Sequence, residues 1–129
     1  MDAFETRSLW DAPEHRAPDG SIVKPLCELS ASGGVAHFYL DPGEVSKAVQ
    51  HSTVQEIWYV INGAGKMWRR QNDQECTEEI TPGTCLTIPI GTTFQFRCES
   101  PEPLRIIGVT MPPWPADGEE EARIVNGKW

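Results

Sequence analysis

Apolar residues recur at every second position in short bursts along this chain, and turn-forming residues separate the bursts. The alternation is clearest between residues 54 and 61, where Glu56, Trp58 and Val60 fall on one face of an extended segment and Ile57, Tyr59 and Ile61 on the other. Both faces carry large apolar groups, so neither belongs in water. One face suits a barrel interior. The other needs a cover: the N-terminal arm, the C-terminal tail or a second subunit. Runs of the same kind predict strands at 21–29, 34–40, 45–50, 54–61, 65–70, 75–80, 85–88, 93–98 and 104–110. Turn chemistry at Asp41-Pro42-Gly43, Asn62-Gly63, Asn72-Asp73, Thr81-Pro82-Gly83 and Pro101-Glu102-Pro103 bounds them. The central part sustains no helical periodicity and contains no repeat. Short strands so punctuated predict an all-β sandwich or barrel.

The flanks read differently. Residues 1–20 are polar, with Pro13, Pro18 and an Asp19-Gly20 turn, and predict an extended arm with Trp10 as the anchor that pins it to the barrel. Residues 21–110 form the barrel. Residues 111–129 open on Met111-Pro112-Pro113-Trp114-Pro115, a stiff stretch that predicts a strap laid across the barrel with Trp114 as its anchor; a proline-rich recognition ligand is the other reading. The acidic run from Asp117 to Glu121 reads as a solvated turn or helix start. Within the barrel, Lys66, Trp68 and Arg70 share one side of their strand and predict a solvated edge strand guarded by charge.

Composition narrows the partners. A chain of 129 residues has room for one domain with a real core and no second one. Its formal charge of −8 repels phosphate backbones and anionic lipid, so neither nucleic acid nor a membrane is expected as a partner. No apolar stretch approaches the ~20 residues that span a bilayer. The start, Met1 to Thr6, lacks the basic residue and apolar run of an export leader. Cys27, Cys76, Cys85 and Cys98 form no Cys-x-x-Cys pair, and together these features predict reduced thiols and a cytoplasmic protein.

Two glycine-framed windows carry the remaining information. In the first, Gly43, Val49, His51, Glu56 and Gly63 fall at the spacing of the first cupin motif; in the second, Gly83, Pro89, Gly91, Phe94 and Cys98 fall at the spacing of the second. The chain thus resembles the cupin superfamily over about residues 25–110. The resemblance implies a single double-stranded β-helix, or jelly-roll, barrel, and a homodimer. It also implies a site. Typical metal cupins hold a divalent transition metal with three His and one Glu. Here Val49 and Phe94 stand at two of the His positions, and only His51 and Glu56 remain as metal ligands. His37, on the preceding strand, supplies a third donor only if it faces inward.

The expected chemistry follows from that loss. Glu56 and His51 are the candidate catalytic residues, an acid–base pair in an apolar barrel, where desolvation raises a carboxyl pKa towards the range useful for proton transfer. Trp58, Val49, Phe94, Phe96, Cys98 and His37 are the candidate substrate-binding residues. If Phe94 and Phe96 point inward, the cavity is apolar and suits an aromatic or polyketide-like ligand; if Gln95 and Arg97 do, it suits a carboxylate or sugar acid. Three functions remain open: a cofactor-free isomerase, cyclase or lyase acting on a small organic molecule, a metal-dependent dioxygenase or isomerase using His51 and Glu56, and a non-catalytic small-molecule binder.

Overall fold

A computed structural model describes residues 1–114 and 121–129. The alternating segments become strands β1 (His15–Arg16), β2 (Ile22–Leu29), β3 (Gly33–Leu40), β4 (Val49–His51), β5 (Gln55–Asn62), β6 (Gly65–Gln71), β7 (Gln74–Ile80), β8 (Cys85–Ile88), β9 (Thr93–Cys98), β10 (Leu104–Met111) and β11 (Ala122–Ile124). They build a six-stranded sheet ordered β1-β2-β3-β10-β5-β8 and a five-stranded sheet ordered β11-β4-β9-β6-β7, with antiparallel pairing throughout. The inner faces of both sheets feed one core, as in a jelly roll. Among the described residues no helix is long and apolar enough to cross a membrane, a statement about helices alone.

Side-chain period sets which residues enter that core. In β5 every second residue is buried (Glu56, Trp58 and Val60), while Ile57, Tyr59 and Ile61 remain 38%, 49% and 43% exposed. In β10 the inward row is Leu104, Ile106, Gly108 and Thr110. Gly108 lies opposite Trp58, and a Cβ there would meet the Phe38 ring at 2.6 Å. The missing side chain makes room for the edge-on contact of Phe38 with Trp58, ring centroids 4.6 Å apart. Gly63 has φ +75° and sits so close to the Pro103 carbonyl that no side chain fits, which accounts physically for the glycine that closes the first motif.

Several expectations need revision. The strand expected at 45–50 shrinks to Val49–His51 because the Ser46 hydroxyl, rather than a backbone carbonyl, accepts from Phe96 N at 3.0 Å, leaving Val45 an isolated bridge to Arg97. β6 is no edge strand: it lies between β9 and β7, and Trp68 is only 2% exposed. Trp10 is no anchor either. The Ser8 side chain accepts from Trp10 N and starts a tight 3-10 turn over Leu9–Asp11 that leaves the indole 84% exposed. The arm is held instead by the Asp2 carboxylate, which accepts from Ser30 N and Oγ, by buried Ala12, and by pairing of β1 with β2.

The C-terminal segment does more than lie across the barrel. β11 extends the five-stranded sheet by pairing with β4, and Ala122 lies opposite His51. Beyond it, the Gln95 side chain accepts from Lys128 N and Trp129 N, both at 2.9 Å, and donates to the Trp129 and Ser46 carbonyls. Of the acidic run, residues 117–120 lie outside the described residues, but Glu121 is buried at 6% exposure rather than solvated. Its carboxylate accepts from Thr53 N at 2.7 Å, Val54 N at 2.7 Å and Thr53 Oγ1 at 2.8 Å, fastening the turn between β4 and β5.

Burial alone would push the Glu121 carboxyl up; the hydrogen bonds from Thr53 and Val54 outweigh it and hold the group below the usual carboxylate range. A depressed carboxyl stabilises the fold above the ordinary carboxylate pKa and loses that contribution as pH falls through the lower folded value. Replacing Glu121 with Ala leaves two backbone amides without their acceptor and is expected to cost about 2–3 kcal/mol at neutral pH, with the deficit shrinking under acid. Denaturant unfolding of Glu121→Ala and the parent chain across pH checks it.

Candidate functional site

β4 ends at His51 and β5 begins at Gln55, so the short turn between them crosses from one sheet to the other at one end of the barrel. It sets His51 and Glu56 face to face. His51 Nε2 lies 3.4 Å from Glu56 Oε2, and the two side chains are 4% and 8% exposed. Trp58, two residues along β5 and on the same face, donates its indole N–H to Glu56 Oε1 at 3.1 Å. Phe94 flanks the pair on the other side, its ring 5.4 Å from the imidazole and edge-on to Trp58 at 5.6 Å. Val49 lies opposite Phe94 in the β4–β9 ladder. The Trp114 ring meets the imidazole edge-on at 4.9 Å and forms the outer layer.

Low polarity decides the charge state. Burial pushes the Glu56 carboxyl up to about 7, against the lowering effect of the Trp58 N–H and with a small push from Asp19. Burial also drives His51 down to about 4, although the Glu121 carboxylate pulls it upward. These are the reverse of ordinary positions. Between pH values of about 4 and about 7 the proton belongs on the carboxyl and the imidazole is neutral, so there the 3.4 Å contact is an acid facing a base rather than an ion pair. His51 Nδ1 is buried with no hydrogen-bond partner among the described residues.

The candidate binding residues separate into three places. Val49, Trp58, Phe94 and Phe96 lie with the pair on the inner side, at 1%, 2%, 1% and 0% exposure. They belong to one core cluster, and Trp58 also meets Phe96 edge-on at 5.0 Å. Cys98 is buried four residues beyond Phe94 along β9, with its thiol directed at the Glu102 carbonyl 3.3 Å away. His37 lies on the outer face of the six-stranded sheet, opposite Lys24 and Ile107 in the strand ladders, so it is no third donor for the pair. Phe94 and Phe96 point inward; Gln95 and Arg97 point outward beneath the C-terminal tail, with Arg97 over the Trp129 ring. Two participants escaped the sequence: Trp58 as hydrogen-bond donor and Glu121 as fastener. The period-2 spacing from Glu56 to Trp58 carried the first; nothing local signalled the second.

Donors for a transition metal are few here. Such an ion needs several converging lone pairs, and among the described residues no three His, Cys, Asp or Glu side chains converge. Hydrocarbon from Val49 and Phe94 stands where two further ligands would be, and one Glu56 oxygen is already taken by the Trp58 N–H.

Comparison with known proteins places the fold. No curated protein matches the chain. Among solved structures, the capsular polysaccharide assembling protein CapF of Staphylococcus aureus aligns with TM-score 0.77 and 15% identity over 90% of this chain and 34% of its own, so the chain spans about a third of CapF. KdgF from Halomonas sp. aligns with TM-score 0.70 and 17% identity over 84% of this chain and 94% of its own. Streptomyces PAC13, solved with uridine, aligns with TM-score 0.74 and 13% identity over 96% and 92% of the two chains. At these identities the likenesses speak for the fold alone. The cupin domain family model matches residues 36–110, more than half of the sequence and inclusive of both glycine-framed windows. The chain belongs to the cupin family.

Proposed function

We propose that this cupin is an enzyme that moves a proton on a small organic molecule without a metal, as in isomerisation, cyclisation or elimination, with Glu56 as the proton donor and acceptor. The supporting observation is the inverted pair: a carboxyl raised to about 7, 3.4 Å from a neutral imidazole. A group whose pKa lies near the working pH is available in both forms, which is what general acid–base catalysis asks of it. Glu56 donates from Oε2 as the acid and accepts as the carboxylate; His51 orients it and shares the proton. The Trp58 N–H steadies the ionised form on Oε1. Because the pair is buried and Trp114 covers His51, substrate reaches it only after that indole turns aside. A small organic ligand is in keeping with the similar barrel of PAC13, solved with uridine. The free cysteines fit a reducing, cytoplasmic setting.

The same reading includes a homodimer. The N-terminal arm lies over the His37 side of the six-stranded sheet and the C-terminal segment over the other sheet. The outer row Ile57, Tyr59 and Ile61, with Val35 nearby at 36% exposure, is left to a second subunit. Two charged substitutions, Ile57→Lys with Ile61→Lys, are expected to convert a dimer into a folded monomer. Light scattering behind size exclusion reads this, and a parent chain that is already monomeric at high micromolar concentration contradicts it.

Proton transfer leaves a trace in heavy water. With a panel of small enolisable ketones and hydroxy acids in D2O, the parent protein is expected to convert a substrate or place deuterium at an acidic carbon. Glu56→Gln, nearly isosteric, is expected to lower that rate by about a hundredfold or more with the fold intact by NMR. An unchanged rate in Glu56→Gln rejects the assignment, and saturable binding with neither exchange nor turnover supports a non-catalytic binder instead.

A further inference from the structure

Outside the barrel, a concavity of about 240 Å³ lies between the N-terminal arm and the outer face of the six-stranded sheet. Its floor contains His37, 1% exposed, with neither ring nitrogen hydrogen-bonded among the described residues. Buried polar atoms are rarely left so. Lys24 lies directly opposite His37 on β2, and Arg105 lies on β10 opposite Tyr39, its guanidinium over the Tyr39 ring at 5.2 Å. Neither cation forms an ion pair with a described residue. Burial and these two cations hold His37 below the ordinary imidazole range, so at neutral pH it presents one N–H donor and one acceptor rather than a third positive charge.

The rest of the lining narrows the ligand. Exposed Trp10, turned outward by the arm's tight turn, and half-buried Tyr39 are the aromatic residues that line it. Glu14, which accepts from the Tyr39 hydroxyl at 3.4 Å, and Asp41 add two acids. Two cations against two acids suit one added negative charge better than two. The geometry points to a second, non-catalytic binding site here for a compact aromatic carboxylate, its carboxylate received by Arg105, Lys24 and His37 and its ring against Trp10 and Tyr39. This explains the unpartnered imidazole and the exposed indole together, and it does not depend on the chemistry assigned to Glu56.

Benzoate is the probe, with benzamide and inorganic phosphate as controls, read by NMR on protein labelled at His and Trp. Benzoate is expected to shift the His37 and Trp10 signals saturably while His51 stays unmoved. Benzamide, lacking the charge, and phosphate, lacking the ring, are expected to leave both in place. Arg105→Gln and Lys24→Gln, each confirmed folded by amide dispersion, are expected to weaken benzoate about tenfold; exposed Trp10→Ala is expected to weaken it severalfold. The absence of a saturable His37 shift, parental benzoate affinity retained in both charge variants, or movement of His51 in place of His37 overturns the site. Phosphate binding as tightly as benzoate overturns the ligand class.

Discussion

A carboxyl group held among aromatic rings must either keep its proton or find a cation, and among the described residues no lysine or arginine is buried in this barrel. Glu56 meets the Trp58 indole and the His51 imidazole, and burial is the dominant influence on it. His51 is subject to the same constraint with the opposite sign, since burial disfavours its charged form. Placed together, the two groups form a neutral acid facing a neutral base. The buried aromatic rings around the pair set this state by desolvation, and Gly108 leaves space for Phe38 against Trp58.

The elements outside the core hold the same arrangement from a distance. Glu121 fixes the turn that brings His51 and Glu56 together, and its negative charge raises the imidazole slightly against the effect of burial. Gln95 binds the C-terminal tail over the outer face of β9 while Phe94 and Phe96, its neighbours in sequence, fill the inside. One strand therefore serves the site with one face and the tail with the other. Period-2 alternation lets both functions share six residues.

Much of this was legible in the sequence, for identifiable reasons. The glycine and proline spacing of the two windows depends on turns and on close backbone approaches such as that of Gly63 to Pro103, which are local properties and survive the loss of metal ligands. Alternation in β5 correctly separated Glu56, Trp58 and Val60 from Ile57, Tyr59 and Ile61. What was not legible depends on long-range packing. Whether Trp10 anchors the arm is decided by a capping serine and a single tight turn, and whether β6 is an edge depends on which strands flank it. His37 could belong to either face until the register of β3 against β2 and β10 is known. Glu121 acts on residues 67 and 68 positions away, beyond the reach of any local pattern.

The inversion of the buried pair is open to direct measurement. Carbon-13 NMR of the Glu56 side-chain carboxyl, assigned by its loss in Glu56→Gln, follows the proton itself across pH. The carboxyl is expected to titrate with a midpoint of about 7, with the His51 imidazole remaining neutral down to about 4. A Glu56 midpoint near the ordinary 4.5 with His51 near 6.5 would mean a conventional ion pair between those values and would contradict the central claim.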